Sequence, residues 1–286
     1  MEEKNKVNKS TLYLVGTPIG NLADISERAK KVLSEVDFIA AEDTRNSMRL
    51  LSAYGIRGEL VSYYEHNKRA SGEKIVERLL NGESCALITD AGMPAISDPG
   101  EDIVRLCRDA GICVSVIPGP SAAISALAFS ALSTARFAFE GFLPAKAGDR
   151  KKRLSRLACE ERTMIFYEAP HKLCRTLADM KDTFGEDRKI SLCREITKLN
   201  EEAIRTTLGE AIKMYEEKEP RGEYVLVLEG ALEAGISPDG AFDTDLSPKE
   251  QVEALIAEGM PKKDAIKEVA KRLGVPKSEI YNLMIE

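Results

Sequence analysis

The chain has 286 residues, 43% hydrophobic and 31% charged, with a formal net charge of −6. This is a globular balance with enough material for one large domain or two ordinary ones. It contains nothing near the roughly 18 to 20 apolar residues of a membrane span. The polar segment Met1–Ser10 lacks the apolar stretch of a signal peptide and reads as a loose tail. Cys85, Cys107, Cys113, Cys159, Cys174 and Cys193 form no CxxC pair and read as buried free thiols of a reducing, cytoplasmic compartment. His66 and His171 are far apart, which argues against a zinc site built from Cys and His, and no metal is expected. The negative net charge counts modestly against nucleic-acid binding but says little about local patches.

In chain order, Thr11–Val15 reads as a strand, Asp24–Val36 as a helix capped by Ser26 or Asp24, and Phe38–Ala41 as a strand. A helix over 46–54 ends at Gly55. Strands at 60–64 and 85–89 flank a helix over 71–80, and a helix over 101–110 leads to a strand at 113–117. This alternation predicts a parallel or mostly parallel sheet with helices on both faces. A helix of small residues follows over 121–133, and then the grammar changes. Strands are expected at 137–142, 163–168, 190–195, 203–207 and 224–228, with one helix over 209–217 between the last two. This half reads as a second α/β domain with a mixed sheet. The expected organisation is therefore 11–118 and 119–230 as two α/β domains, 231–246 as a linker and 247–286 as a small helical unit.

In open α/β sheets, ligands bind beyond the carboxyl ends of the strands. The loop Gly16–Thr17–Pro18–Ile19–Gly20–Asn21 is neither a dinucleotide fingerprint nor a P-loop. Glu42–Asp43–Thr44–Arg45 gathers two carboxylates, a hydroxyl and a guanidinium, and Asp43 or Thr44 also suits a helix cap. Asp90 to Gly100 carries two prolines, two glycines and two aspartates, which suits a rigid loop presenting backbone groups to a ligand. Ser97 or Asp98 caps the helix after it. Pro118–Gly119–Pro120–Ser121–Ala122 opens the small-residue helix.

Together with Glu140–Gly141–Phe142–Leu143–Pro144, the run Phe166 to Lys172, Arg194 to Lys198, and Arg221–Gly222–Glu223–Tyr224, these loops resemble the tetrapyrrole-methylase-like methyltransferases. More narrowly, they resemble the bacterial branch that methylates the ribose 2′-oxygen of a cytidine in small-subunit ribosomal RNA. The resemblance covers residues 11 to 230, with eight motifs in the family's order, and continues weakly into the tail. It implies two α/β domains with S-adenosylmethionine in the cleft between them, a homodimer, and the small ribosomal subunit or its RNA as partner. It also implies donor contacts at Pro18, Ile19, Asp90, Gly92, Met93, Pro94, Ile96, Ser121, Ala122, Gly222 and Glu223, with Tyr167 near the adenine side. The sequence departs from the pattern at Lys68, where the family usually carries an acid, and this puts a direct catalytic role for that position in doubt.

A ribose hydroxyl attacks a methyl sulfonium poorly until it loses its proton, so a base or a positive group beside it is expected. Glu42, Asp43 and Arg45 are the foremost candidates, with His66, Glu195 and Lys198 behind them. For RNA, the stretch from Lys146 to Arg156 offers Lys146, Arg150, Lys151, Lys152, Arg153 and Arg156 against the single acid Asp149. It reads as a phosphate-contacting patch or a solvated helix face. The tail around 261–281 has helix-turn-helix grammar, with Gly274 ending one helix and Ser278 capping the next. Two rival readings are a small-molecule methylase acting on a tetrapyrrole and a DNA-binding regulator built on that tail.

Overall fold

The structure, a computed structural model, describes residues 6–231, 247–257, 260–273 and 275–284. The expected linker beyond Ala231, the first five residues of the N-terminal tail and the stop at Gly274 lie outside the described residues. Residues up to Ala231 form one compact unit, and the rest form a second.

The first sheet joins β1 (Thr11–Val15), β2 (Phe38–Ala41), β3 (Glu59–Ser62), β4 (Cys85–Ile88) and β5 (Cys113–Ile117) in the order β3-β2-β4-β1-β5, all parallel. Side chains alternate along a strand, so each strand feeds two cores. Tyr13, Val15, Ile39, Ala41, Ala86 and Ile88 face one core with α1 (Glu27–Glu35) and α2 (Thr44–Ala53). Leu12, Leu14, Phe38, Ala40, Cys85 and Leu87 face another with α3 (Lys68–Leu80) and α4 (Gly100–Asp109). Burial on both faces explains why these strands read as continuous apolar runs.

The second sheet joins β6 (Phe137–Phe142), β7 (Thr163–Glu168), β8 (Lys189–Arg194), β9 (Glu202–Thr207) and β10 (Tyr224–Leu228) in the order β6-β7-β10-β8-β9. Only β6 and β7 run parallel, so the sheet is mixed as expected. One face packs on α6 (Ala147–Arg156), α7 (Pro170–Phe184) and α8 (Leu208–Glu217). The other receives Ala123, Ala126 and Leu127 of α5 (Ala122–Phe129), so α5 leaves the first sheet to cover the second. The second unit is a bundle of α9 (Pro248–Ala257), α10 (Lys262–Leu273) and α11 (Lys277–Leu283) around Val252, Val269 and Ile280.

Several boundaries move for local reasons. Asn67 Oδ1 accepts the Tyr64 N–H, which turns the chain so that β3 stops at Ser62 and α3 starts at Lys68. The Ser130 hydroxyl donates to Leu127 O and accepts from Leu132 N, ending α5 at Phe129 rather than near Ser133. In the tail, Pro276 precedes α11, and Ser278 lies inside its first turn rather than capping it. All six cysteines are free, but only Cys85, Cys107 and Cys193 are buried; Cys113, Cys159 and Cys174 are exposed, against expectation.

Candidate active site

The loops after β1, β2, β4 and β5 converge at the carboxyl ends of the first sheet. Gly16 and Gly119 bring two of them into backbone contact, since a Cβ on Gly16 would stand 2.7 Å from Gly119 Cα. Thr17 and Gly92 exchange both backbone hydrogen bonds, at 2.9 and 3.1 Å, tying the β1 loop to the β4 loop. The β4 loop holds Ala95 and Ser97 at positive φ, 67° and 66°. Such backbone is costly and persists only when its surroundings fix it. Asp98 does so by accepting the N–H groups of Ala95 and Gly100 at 2.9 and 2.7 Å. Tyr63 helps by donating to Pro99 O at 3.0 Å, with its phenol pushed up to about 12, mainly by burial.

Facing these loops are the ends of β6, β7 and β10. Between them lies a cleft of about 540 Å³ lined from both halves of the unit. Of the expected donor contacts, Ile19, Asp90, Gly92, Met93, Ile96, Ser121, Ala122, Tyr167 and Glu223 line it. Pro94 borders a small separate void beneath it, shared with Glu42, Tyr63 and Asp98. Pro18 does not line the cleft, and Gly222 stands behind it against the Glu195 side chain. Tyr167 is half-buried, and burial raises its phenol while the Ala123 N–H partly offsets this.

The six catalytic candidates separate. Glu42 lines the cleft and accepts from the Thr89 hydroxyl at 3.2 Å. Partial burial, then the charges of Asp90, Asp98 and Asp43, push its carboxyl up against that hydrogen bond. Asp43 is the helix cap, accepting from Arg45 N and Asn46 N at the start of α2. Arg45 is exposed on α2 and makes no ion pair among the described residues, and His66 is exposed in the loop after β3, edge-on to Tyr64; neither lines the cleft. Glu195 and Lys198 stand behind the cleft as a clasp. Glu195 accepts Glu223 N–H and Lys198 Nζ, both at 3.0 Å, and Lys198 also reaches Glu223 at 2.7 Å. The Glu223 N–H, then Lys198, lowers the Glu195 carboxyl. Burial works against the charge on Lys198, but the two carboxylates outweigh it and raise its pKa. Both therefore stay charged at neutral pH, which suits a buttress rather than a base. Lys68, where the chain departs from the family pattern, pairs with Glu65 and Asp102 away from the cleft.

Sequence reasoning passes over Thr89, Asp98, Ile196 and Phe142 as lining residues. Phe142 belongs to the Glu140–Pro144 motif, but nothing in the one-dimensional pattern aims its ring.

The basic stretch is corrected in part. Arg150 is buried and donates to Asp179 from Nε and Nη2, both at 2.7 Å, and to Ala145 O. Lys151 pairs with Asp179 and Asp182, and Arg153 pairs with Glu140. Lys146, Lys152 and Arg156 are exposed without an ion pair among the described residues. On α2, Arg45 and Arg49 form a second basic pair without ion-pair partners among the described residues, and Arg49 stands outside the motifs that the sequence singles out.

The cleft suits a cofactor with a flat apolar ring and a cationic centre. Ile19, Ile96, Ala122 and Tyr167 supply apolar walls, Glu42 and Asp90 supply negative charge, and Asp98 Oδ2 is a buried acceptor without a partner among the described residues. Ser121 makes no side-chain cap bond to its own helix.

The family model described as Tetrapyrrole (Corrin/Porphyrin) Methylases matches residues 11–212, and the RsmI C-terminal HTH domain matches 249–286. A ribosomal RNA small subunit methyltransferase I of Halalkalibacterium halodurans is 47% identical over 96% of this chain and 95% of its own. Its counterpart in Bacillus subtilis is 45% identical over 99% of this chain and 96% of its own. A crystal structure of uroporphyrin-III-C-methyltransferase from Thermus thermophilus shares the fold at TM-score 0.53 and 19% identity, covering 76% of this chain and 94% of its own. Cleft, fold and relatives agree: the chain belongs to the tetrapyrrole methylase family, in the branch of the ribosomal RNA small subunit methyltransferases I.

Proposed function

We propose that this S-adenosylmethionine-dependent methyltransferase methylates the ribose 2′-oxygen of a cytidine in small-subunit ribosomal RNA, in the cytoplasm and as a homodimer. The extent of similarity carries the substrate class. Relatives named for ribosomal RNA align over 96–99% of the chain, whereas the uroporphyrin methyltransferase leaves about a quarter of it unmatched. A segment shared with the former and matched by its own family model favours a macromolecular substrate over a tetrapyrrole.

When bound, the cofactor supplies an electrophilic methyl group on a good leaving group. The chain's own residues do the rest. The loops after β1, β4 and β5 orient the donor, and alignment of this kind is worth roughly 7–11 kcal/mol. Glu42, oriented by Thr89, takes the proton of the attacking hydroxyl, a contribution of about 10² to 10⁴ in rate. Arg45 and Arg49 lie on α2, which begins two residues after Glu42, and Lys146, Lys152 and Arg156 lie at the cap of α6 and along it, the helix that follows Phe142 in the chain. These cations offer phosphate contacts despite the negative total. Support for the homodimer comes from apolar side chains left exposed on the edge strand β5 (Val116) and on α5 (Ile124, Phe129). No helix among the described residues is long and apolar enough to cross a membrane.

The test supplies radiolabelled S-adenosylmethionine with small subunits from cells lacking this protein, naked ribosomal RNA, duplex DNA or a corrinoid precursor. Label at a ribose 2′-oxygen of the small-subunit RNA is expected. Label only in the corrinoid, or duplex binding without transfer, would replace this reading with one of its rivals.

A further inference from the structure

Phe142 stands apart among the cleft side chains. It borders an apolar cleft, yet the residue is 60% exposed. In a regular strand Phe139 and Phe142, three residues apart, would point to opposite faces. They do not, because β6 carries a bulge. Phe139 pairs with Ile165 and Gly141 with Phe166, so Glu140 is an extra residue, and Gly141 adopts φ 64°. The extra residue returns Phe142 to the face of Phe139, and both rings meet Tyr167 edge-to-face at 5.0 and 5.4 Å. A bulge that re-aims a side chain beside a site is a built feature. The outcome is an aromatic ring fixed by a neighbour, with its surface open at the rim. The chain runs on from it to Lys146, which precedes α6, and to Lys152 and Arg156 on that helix, all three without ion pairs among the described residues. A flat π-face beside phosphate-attracting cations is the chemistry that holds an unpaired nucleobase.

We propose that Phe142 is the platform on which the base of the target nucleotide stacks once it is turned out of the RNA, presenting its ribose to the Glu42 edge of the same cleft. This rests on the RNA reading under Proposed function. A hydroxyl inside a folded RNA is out of reach of a recessed donor, so the nucleotide has to leave its stack, and a platform at the rim offsets part of that cost.

The chain has no tryptophan, so Phe142→Trp places a single indole at the platform. Wild type, Phe142→Leu and Phe142→Trp are compared for kcat and KM on small subunits from cells lacking the protein, for S-adenosylmethionine affinity by calorimetry, and for thermal melting. Phe142→Leu is expected to lose about 5- to 150-fold in kcat/KM, the worth of one base–aromatic stack, with cofactor affinity kept within about twofold. Phe142→Trp recovers most of that loss, and subunits quench its emission while S-adenosylmethionine alone does not. Full kcat/KM in Phe142→Leu would overturn the platform. So would quenching by S-adenosylmethionine alone, or cofactor affinity falling in step with kcat/KM, since Phe142 would then be a wall of the donor site. Should Phe142→Leu melt below the assay temperature, the Phe142→Trp quenching pattern decides alone. A wild-type chain that labels no RNA overturns the substrate reading and the platform with it, whereas an active wild type with an equally active Phe142→Leu overturns only the platform.

Discussion

Arg150 and Lys152 lie two residues apart on α6, and their surroundings give them different work. Arg150 and Asp179 are each about 10% exposed at the side chain, and the guanidinium also reaches backbone carbonyls at the start of its helix. Removing one partner of a buried pair leaves an uncompensated charge, at a cost of about 3–5 kcal/mol. Arg150→Ala should therefore lower the thermal midpoint by several degrees while leaving RNA affinity per folded molecule intact. Lys152→Glu and Arg156→Glu should do the reverse: melting holds, RNA binding weakens, and the slope of log affinity against log salt falls by about one for each phosphate no longer neutralised. Binding titrations at several salt concentrations beside melting curves check both, and an Arg150→Ala protein that is stable but blind to RNA would refute the assignment. Glu42 has its own signature. Its carboxyl is pushed above the usual range, chiefly by partial burial. A base must be ionised, so kcat should fall as pH drops through that raised value, and Glu42→Gln should remove this limb with a loss of about 10² to 10⁴ in kcat. The sign for stability is opposite. A raised carboxyl pKa means the folded chain holds the proton more tightly than the unfolded one, so the contribution is present in acid and lost as pH rises through the raised value. Glu42→Gln should thus be no less stable than wild type at neutral pH, which melts at two pH values would show.

At the scale of the element, the first sheet is legible in the sequence because its central strands β1, β2 and β4 are buried on both faces and its helices are amphipathic, so each change of period marks a boundary. The loops are legible as a set through their glycines, prolines and aspartates. The aim of individual side chains is not. The partner that removes Arg150 from the basic surface, Asp179, is 29 residues away on α7 and becomes its neighbour only when α6 and α7 pack. The bulge that turns Phe142 into the cleft depends on the pairing of β6 with β7, which no local pattern records. Asp43 has the look of a catalytic group and of a cap, and the direction of α2 gives it the cap. Loop packing also carries a prediction of its own. A methyl group on Gly16 would meet Gly119 Cα and Met93 Sδ at 2.7 Å, with backbone on one side. Gly16→Ala should force the β1 and β5 loops apart, destabilise the chain by about 1–3 kcal/mol and weaken S-adenosylmethionine binding. Calorimetry beside thermal melting tests this, and unchanged cofactor affinity would mean that the two loops need not touch to form the cleft.

At the scale of the whole molecule, everything that lines the cleft falls between Ile19 and Val225, and the cores flanking both sheets close within the first unit. The second unit has a core of its own in Val252, Ala265, Ile266, Val269 and Ile280. Each unit carries a hydrophobic core of its own, so a chain ending at Ala231 should melt cooperatively and bind S-adenosylmethionine with wild-type affinity. Substrate recognition is a different matter. The uroporphyrin methyltransferase that shares the fold matches only 76% of this chain, whereas the C-terminal helices have their own family model, and the relatives named for ribosomal RNA extend across nearly the full length. The tetrapyrrole methylase model matches residues 11–212, within the first unit, so the chemistry of the family belongs there, and substrate recognition has the second unit available to it. The shortened chain should accordingly lose kcat/KM on small subunits by about tenfold or more, mainly through KM, because removing uniform binding raises KM without touching the chemical step. A fall in kcat at constant KM would instead tie the helices to the assembly of the active cleft. Unchanged kinetics would leave the basic residues of α2 and α6 to hold the RNA alone, and the charge reversals at Lys152 and Arg156 would then have to account for the whole of the salt dependence.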